Sequence, residues 1–279
     1  VARPVLNDVL RSLAQQDWTV AGITEPFAFK LELQEFPASE PPGATAIVMS
    51  EPATRPMADA VVAQLRAMPE ILWAGTFADV PRSELQLFDR DHGVEYFSSP
   101  GQFQQVNSAG NRELCNLIME WFASARPQTV LDLYSGSGNF SLAMAKAGAH
   151  VTGVESNTRS VATGNHNLTH NSITGSRYVH RDSERFIKAE VERGNSYDLV
   201  VADPARQGMY GCVPWLNKMA PRDIFYVSCE PTTLARDLGD LGKYYALKEI
   251  HVFDFFPTTY HIETAIWLRR KPTVAIRAM

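Results

Sequence analysis

The sequence predicts an α/β protein: an open, mostly parallel sheet that ends in an antiparallel hairpin, with a small α+β region ahead of it. Three observations predict this. From residue 101 onward, strand-like and helix-like segments alternate, as in a parallel sheet with crossover helices. The last two strand-like segments are joined only by residues 256–260, which is too short for a helix and requires a hairpin. Residues 1–100 instead contain a period-two pattern at 27–33, typical of a half-buried strand.

The elements of the larger region, residues 101–279, are predicted in a regular order. The predicted strands lie at about 129–133, 150–154, 177–180, 197–202, 224–228, 246–254 and 262–269. The helices between them are predicted at 108–123, 139–147, 157–170, 182–191, 212–219 and 232–241. Five helix-separated strands followed by a hairpin are similar to the Rossmann-like sheet of class I methyltransferases.

The first 100 residues are predicted to form a small α+β region that faces the substrate. Further strands are predicted at 44–49 and 71–77, and helices at 5–16 and 57–68. No cofactor or catalytic pattern is found in this region.

Composition limits the class of protein. The 279 residues are 45% hydrophobic and 20% charged, as in an ordinary globular protein. No apolar stretch approaches the roughly 20 residues of a membrane span, and the start has no signal-peptide core. The three cysteines form no CxxC pair, which argues against a disulfide framework or a metal cluster and favours a cytoplasmic location. The net charge of −5 does not indicate a nucleic-acid binder, although a local basic patch is enough for one.

A glycine-rich turn predicts a nucleotide-type cofactor. Gly136-Ser137-Gly138 follows an apolar strand and precedes a helix, whose free N–H groups favour a ligand. Glu155 ends the next strand about 20 residues later, where a ribose diol is usually held. Ser141 stands where a dinucleotide site has its third glycine, which favours a smaller adenosyl ligand. Asp203 ends the fourth strand and is predicted to reach the same pocket; the alternative is a simple turn at Asp203-Pro204.

A thiol and a carboxylate predict covalent chemistry. Cys229 ends the strand-like run Phe225-Tyr226-Val227-Ser228, at the sheet edge where α/β proteins bind ligands. Glu263 opens a later strand. The alternative for Cys229 is a buried structural thiol, which is the preferred interpretation of Cys115 and Cys212.

Three motifs carry a family resemblance. They are Asp203-Pro204-Ala205-Arg206-Gln207-Gly208, the stretch from Tyr226 to Leu238 around Ser228-Cys229-Glu230-Pro231, and the stretch Asp254–Glu263. Together with Phe103-Gln104-Gln105-Val106-Asn107, they resemble the RNA 5-methyluridine methyltransferases, the TrmA-like family. The resemblance covers about residues 90–270.

The resemblance implies a methyltransferase that acts on carbon 5 of uridine in tRNA or rRNA through a covalent cysteine adduct. Cys229 is implied as the nucleophile and Glu263 as the base. Phe103 and Arg206 are implied to contact the uridine or its RNA, and Tyr260 is a further candidate for stacking. S-adenosylmethionine is implied to be held at Gly136 and Gly138 and by the side chains of Gln105, Tyr134, Asn139, Glu155 and Asp203. A monomer without metal is expected.

The sequence departs from the family pattern at several positions. Ala205 stands where a second proline is commoner, Glu230 where Asn is usual, Thr258 where Gln is usual, and Ser135 where many members have Cys. Two alternatives therefore stay open: a methyltransferase acting on another base or a small molecule, and an RNA-binding module with degraded catalysis. The intact Cys229 and Glu263 argue against the second.

Overall fold

The protein is described by a computed structural model, which covers residues 4–15, 30–36, 38–39, 42–49, 55–80, 85–105, 107–256, 259 and 262–272. The chain divides into two compact units, Val1–Phe103 and Gln104–Met279. Within the described ranges, no helix combines the length and the apolar character that a membrane crossing requires.

The N-terminal unit is built on a three-stranded sheet. Its elements are α1 (Pro4–Gln15), β1 (Lys30–Phe36), β2 (Gly43–Met49), α2 (Arg55–Arg66) and β3 (Ile71–Thr76). Strand β2 lies in the centre, antiparallel to β1 and parallel to β3. Val48 and Ala46 of β2 pack with Val61 and Leu65 of α2 to form the core of this unit. The elements predicted at 5–16, 44–49, 57–68 and 71–77 are found within two residues of their predicted bounds. The strand predicted at 27–33 lies at 30–36, and residues 27–29 are outside the described part.

One hairpin of this unit was missed by the sequence analysis. It consists of β4 (Gln86–Asp91) and β5 (Val94–Ser98), which pair antiparallel. Its turn places His92 at φ 49° and Gly93 at φ 73°, the two successive positive angles of a tight hairpin turn. Phe88 of β4 meets Phe36 of β1 edge to face, with ring centroids 6.0 Å apart.

The C-terminal unit alternates strands and helices as predicted. Its elements are α3 (Ser108–Ala125), β6 (Thr129–Leu133), α4 (Ser141–Lys146), β7 (His150–Glu155), α5 (Thr158–His170), β8 (Arg177–His180), α6 (Ser183–Glu192), β9 (Leu199–Ala202), α7 (Val213–Met219), β10 (Asp223–Ser228), α8 (Pro231–Leu241), β11 (Tyr245–Phe253) and β12 (Glu263–Arg270). All seven predicted strands and six predicted helices are present.

These seven strands form one sheet in the order β11-β12-β10-β9-β6-β7-β8. Strand β12 is antiparallel to both β10 and β11, and the other pairs are parallel, so the predicted hairpin is confirmed. The chain runs outward from β6 to β8 and then returns to β9 on the other side of β6. The carboxyl ends of β6 and β9 therefore form the switch point at which open α/β sheets bind ligands.

A buried carboxylate ties β10 to β12. Asp223 is fully buried and accepts hydrogen bonds from Trp267 Nε1 at 2.7 Å and Arg269 Nε at 2.8 Å. The same two strands pack Phe225 against Trp267, with ring centroids 5.5 Å apart. A one-residue shift of β12 along β10 would turn each of its side chains to the other face of the sheet. The contacts of Asp223 and Phe225 therefore also specify the pairing at the other end of the two strands, where Ser228 lies.

Candidate active site

The register of β10 and β12 brings the predicted nucleophile and base together. Ser228, the last residue of β10, pairs with Thr264. The next residue outward from Ser228 is Cys229, and the next outward from Thr264 is Glu263, which still pairs with Phe253 of β11. The thiol and the carboxyl group therefore lie at the same end of the β10–β12 pair. Cys229 is half-buried and Glu263 is 7% exposed.

Burial and neighbouring negative charges raise the pKa values of the ionisable groups around Cys229. Burial raises the pKa of the Glu263 carboxyl to about 7. The pKa of the Cys229 thiol is also raised, first by burial and then by the negative charges of Glu263 and Asp203, while the Arg206 guanidinium lowers it. Asp203 follows β9, and its pKa is raised to about 8 by burial, with Glu263 and Asp132 adding to the effect. The free site therefore favours a protonated thiol beside carboxyl groups that ionise near neutral pH.

Helix α8 begins directly after the thiol. Glu230 is its N-cap: the side chain accepts hydrogen bonds from the backbone N–H and the hydroxyl of Thr232. Pro231 occupies the first turn, where its missing N–H costs nothing. The acidic residue in the place of the family's usual Asn thus has a structural role as a helix cap.

The glycine turn is held beside Glu155. Gly136 has φ 55° and Gly138 φ 101°, which L side chains rarely adopt. The Glu155 carboxylate accepts from Gly136 N at 3.1 Å and from Asn157 N at 2.7 Å. A Cβ on Gly138 would lie 2.1 Å from the Tyr178 hydroxyl, whereas one on Gly136 would meet nothing within 4 Å. The turn is closely packed behind Gly138 and open at Gly136.

Two buried polar oxygen atoms lie beside this turn without a hydrogen-bond partner among the described residues. They are Asp132 Oδ2, in β6, and Ser135 Oγ, just after that strand. Burial raises the pKa of the Asp132 carboxyl to about 7, with the charge of Glu155 adding to the effect. An adenosyl ligand with hydroxyl and ammonium donors would satisfy these atoms, so the residues present fit S-adenosylmethionine.

Tyr134 and Asn139 flank the turn, and the side chain of each contacts another side chain of the protein. Tyr134 has φ 61°, and its hydroxyl lies 3.3 Å from Cys212 Sγ. The Asn139 and Asn111 side-chain amides pair reciprocally, each donating at 3.0 Å to the other's oxygen. These pairs fix the backbone of residues 134 and 139 at the turn.

The remaining predicted residues lie in loops. Gln105 is half-buried in the segment before α3, and Arg206 is exposed in the loop after β9. Phe103 is 85% exposed, an uncommon state for so large an apolar side chain. Tyr260 and Thr258 fall outside the described residues.

The other two thiols are buried, and both are distant from Cys229 in the sequence. Cys115 lies on α3 and Cys212 in a short 3₁₀ helix, Tyr210–Cys212. Across the ranges that the structure describes, no three His, Cys, Asp or Glu side chains are grouped to hold a metal ion.

Asp132 was missed by the sequence analysis. The available signal was an acidic residue inside the apolar run Val130-Leu131-Asp132-Leu133, since a carboxylate in a buried strand is costly without a function or a partner.

The sheet order and the ligand edge define the class of protein. They are those of the class I S-adenosylmethionine-dependent methyltransferases, as predicted. A crystal structure of a SAM-dependent methyltransferase from Agrobacterium tumefaciens shares this fold at 18% identity and TM-score 0.50, covering 68% of this chain and 71% of its own.

A narrower assignment follows from sequence comparison. The model of the tRNA (uracil-5-)-methyltransferase family matches residues 78–271, and the chain belongs to that family. The 23S rRNA (uracil(1939)-C(5))-methyltransferase RlmD of Tolumonas auensis is 38% identical over 200 residues, 70% of this chain and 44% of the relative. The RlmD of Shewanella sediminis is 39% identical over 183 residues, 65% of this chain and 41% of the relative.

A solved structure extends the comparison. The Pyrococcus abyssi tRNA (uracil-54, C5)-methyltransferase, in complex with S-adenosyl-L-homocysteine, is 26% identical with TM-score 0.60 and covers 85% of this chain and 58% of its own. The chain spans about two fifths of the length of the curated relatives that it matches.

Proposed function

We propose that this chain methylates carbon 5 of uridine in RNA, with S-adenosylmethionine as the methyl donor and a covalent bond between Cys229 and the base. One observation carries the proposal: the Ser228–Thr264 pairing brings Cys229 and Glu263 to the same point at the ligand edge of the sheet. Family membership supports the same chemistry, because the relatives are named as uracil C5 methyltransferases.

The cofactor would be held by the turn after β6 and by Glu155. Gly136 leaves room for close approach, and the Glu155 carboxylate is positioned for the ribose hydroxyls. Asp132 and Ser135 supply the unsatisfied acceptors. Gln105, Tyr134, Asn139 and Asp203 stay predicted contacts. When bound, S-adenosylmethionine supplies an electrophilic methyl group on a positively charged sulfur.

Cys229 starts the reaction as a nucleophile. Carbon 5 of uracil is unreactive until the thiolate adds to carbon 6, which moves the ring's π electrons onto carbon 5 and the neighbouring carbonyl oxygen as an enolate. The enolate carbon then takes the methyl group, forming a carbon–carbon bond as the carbon–sulfur bond of the donor breaks. Arg206 assists the first step because its positive charge opposes the rise in the pKa of the thiol.

Glu263 completes the cycle as a base. The carboxylate removes the proton from carbon 5, the electron pair re-forms the ring double bond, and the bond from carbon 6 to Cys229 breaks to release the thiolate. A pKa near 7 suits this role, because a base is most efficient when its pKa lies near the working pH.

The substrate is proposed to be structured RNA, either rRNA or tRNA. The curated relatives described above act, by their names, on 23S rRNA and are more similar to this chain than the tRNA enzyme, so 23S rRNA is the first substrate to test. The N-terminal unit and the exposed Phe103 are proposed to contribute to RNA choice. An RNA substrate is consistent with a cytoplasmic location, and that location and the monomeric state remain predictions.

Methyl transfer to RNA with a label on the cofactor tests the proposal. We expect the protein to label a 23S rRNA or a tRNA transcript and to release tritium from uridine tritiated at carbon 5 in equal amount. Cys229→Ser is expected to do neither. Methylation without tritium release would indicate a different atom or base, and RNA binding without methylation would favour the non-catalytic alternative.

A further inference from the structure

Helix α8 holds the loop after β9 through three side chains on one face. Thr233 Oγ1 donates to the carbonyl of Arg206 at 2.9 Å, and Arg236 Nη2 donates to the carbonyl of Gln207 at 2.8 Å. Asp237 Oδ2 accepts from the backbone N–H of Met209 at 2.8 Å. Positions 233, 236 and 237 are spaced three and four residues apart, so they share a helix face. We call Thr233, Arg236 and Asp237 the α8 clamp.

Asp237 is the centre of the clamp. It is fully buried, and its Oδ2 also accepts from the Tyr226 hydroxyl of β10 at 2.8 Å. Its other oxygen accepts from Arg236 Nε at 3.0 Å and Nη2 at 2.8 Å. A buried carboxylate with this number of donors is costly to disturb, because removing its charge leaves the donors without an equivalent acceptor.

The loop fits the clamp closely. Gly208 has φ 73°, and a Cβ there would lie 2.6 Å from Asp237 Oδ2 and 2.9 Å from Arg236 Nη2. The backbone of residues 206–209 therefore packs directly on the clamp, and the groups hydrogen-bonded to α8 are the carbonyls of Arg206 and Gln207 and the N–H of Met209.

Two candidate functional residues depend on this loop. Asp203 and Arg206 lie in it, and Cys229 lies one residue before the N-cap of α8. We propose that the α8 clamp is a positioning device that fixes the place of Arg206 relative to Cys229, because its hydrogen bonds hold the backbone of residues 206, 207 and 209. It acts through the backbone of the loop and touches neither the base nor the cofactor. The catalytic role of this positioning rests on the proposed function.

The charge environment of Cys229 provides a readout that needs no RNA. Glu263 on β12 and Asp203 in the loop raise the pKa of the Cys229 thiol, and Arg206 in the same loop lowers it. Loosening the loop at Arg206 should weaken the favourable contribution of the guanidinium. The rate at which a thiol is alkylated follows its thiolate fraction, so a pH profile detects this change.

The experiment measures iodoacetamide alkylation of Cys229 in the intact protein between pH 6 and pH 10, by mass spectrometry of the peptide. Thr233→Val keeps the shape but removes the hydroxyl that donates to the carbonyl of Arg206 and, at 3.1 Å, to that of Glu230. Asp237→Asn keeps the shape but removes the charge. Thr233→Ser retains the hydroxyl. Asp240→Asn, on the same helix, loses an exposed ion pair with Lys243, which lies just beyond the helix, and is the matched control.

We expect Thr233→Val and Asp237→Asn to raise the apparent pKa of Cys229, which slows its alkylation relative to wild type at pH values below that pKa. Thr233→Ser and Asp240→Asn should follow the wild-type profile. If Asp237→Asn fails to fold, as judged by its melting curve, Thr233→Val carries the test. Wild-type profiles for every folded variant would overturn the inference, even in a protein that methylates RNA. A shifted profile in a protein that methylates no RNA would support the clamp and reject the proposed function.

Discussion

Cys229 and Glu263 lie opposite each other on neighbouring antiparallel strands, one residue beyond the Ser228–Thr264 pair. The charge of the Glu263 carboxylate raises the pKa of the Cys229 thiol. The proposed nucleophile and the proposed base are therefore neighbours at the sheet edge, and the raised pKa of the thiol favours its protonated form in the free protein.

Removing the charge of Glu263 should make Cys229 more reactive toward small reagents. In Glu263→Gln, the repulsion between carboxylate and thiolate is lost, so the pKa of the thiol falls. Alkylation by iodoacetamide should therefore be faster than in wild type at pH 8, where Glu263 is ionised in wild type because its pKa is about 7. Asp240→Asn serves as the control; an unchanged rate in Glu263→Gln would place the carboxylate too far from the thiol to matter.

The pH dependence of stability should differ between wild type and Glu263→Gln. In the folded protein the pKa of Glu263 is about 7, above its ordinary value of 4.5. The protonated carboxyl therefore contributes its full share to the free energy of unfolding below pH 4.5, and that share is lost as the pH rises through 7. Each pKa unit corresponds to about 1.4 kcal/mol, so Glu263→Gln should gain on the order of 3 kcal/mol over wild type between pH 4 and pH 8.

Urea unfolding at several pH values measures that difference. Asp203 is present in both proteins, so the difference between their stabilities measures the ionisation of Glu263 together with its repulsion of Asp203. Parallel stability curves from pH 4 to pH 8 would mean that the carboxyl of Glu263 is solvated in the folded protein.

Glu155 should be required for cofactor affinity. Glu155→Ala removes the proposed acceptor for the ribose hydroxyls and also frees Gly136 N, which the carboxylate holds at 3.1 Å. We expect affinity for S-adenosylmethionine to fall by about 1–3 kcal/mol, roughly 5- to 150-fold, in calorimetry. Glu192→Ala, at an exposed position on α6, should bind normally; equal affinity in the two variants would remove Glu155 from the site.

Gly138 and Gly148 provide a matched test of the packing behind the turn. Both have φ close to 100°, so alanine is strained at each, but only at Gly138 would the added Cβ meet the Tyr178 hydroxyl, at 2.1 Å. Gly138→Ala should therefore lose about 1–3 kcal/mol more stability than Gly148→Ala in urea unfolding. Combining Gly138→Ala with Tyr178→Phe should recover part of the difference. Equal losses at the two glycines would show that Tyr178 does not restrict the turn.

The fold of the C-terminal unit was predictable because its signals are local. The apolar runs ending at Leu133 and Ser228 are buried strands, and the short link between β11 and β12 permits only a hairpin. The β4–β5 hairpin was missed because Asp89, Arg90 and Asp91 interrupt the apolar pattern of β4. The His92-Gly93 pair was an available turn signal that the sequence analysis did not use.

The site was only partly predictable. Cys229 and Glu263 were predicted from their places at strand ends and from the family resemblance. Their proximity, however, depends on the register of β10 and β12, which the contacts of Asp223 specify five residues before Ser228. The α8 clamp was not visible in the sequence, because the partners of Thr233 and Asp237 are backbone groups of a loop nearly 30 residues earlier. Such contacts follow from tertiary packing and carry no local pattern.

The most direct test of the central claim is a denaturing gel of the Glu263→Gln protein incubated with substrate RNA and S-adenosylmethionine labelled in the methyl group. We expect a slow-migrating protein–RNA species that carries the label, because methyl transfer proceeds but the proton on carbon 5 cannot leave and the bond to Cys229 cannot break. The double variant Cys229→Ser/Glu263→Gln should form no such species. Turnover of Glu263→Gln at the wild-type rate, with no trapped species, would contradict the assignment of Glu263 as the base.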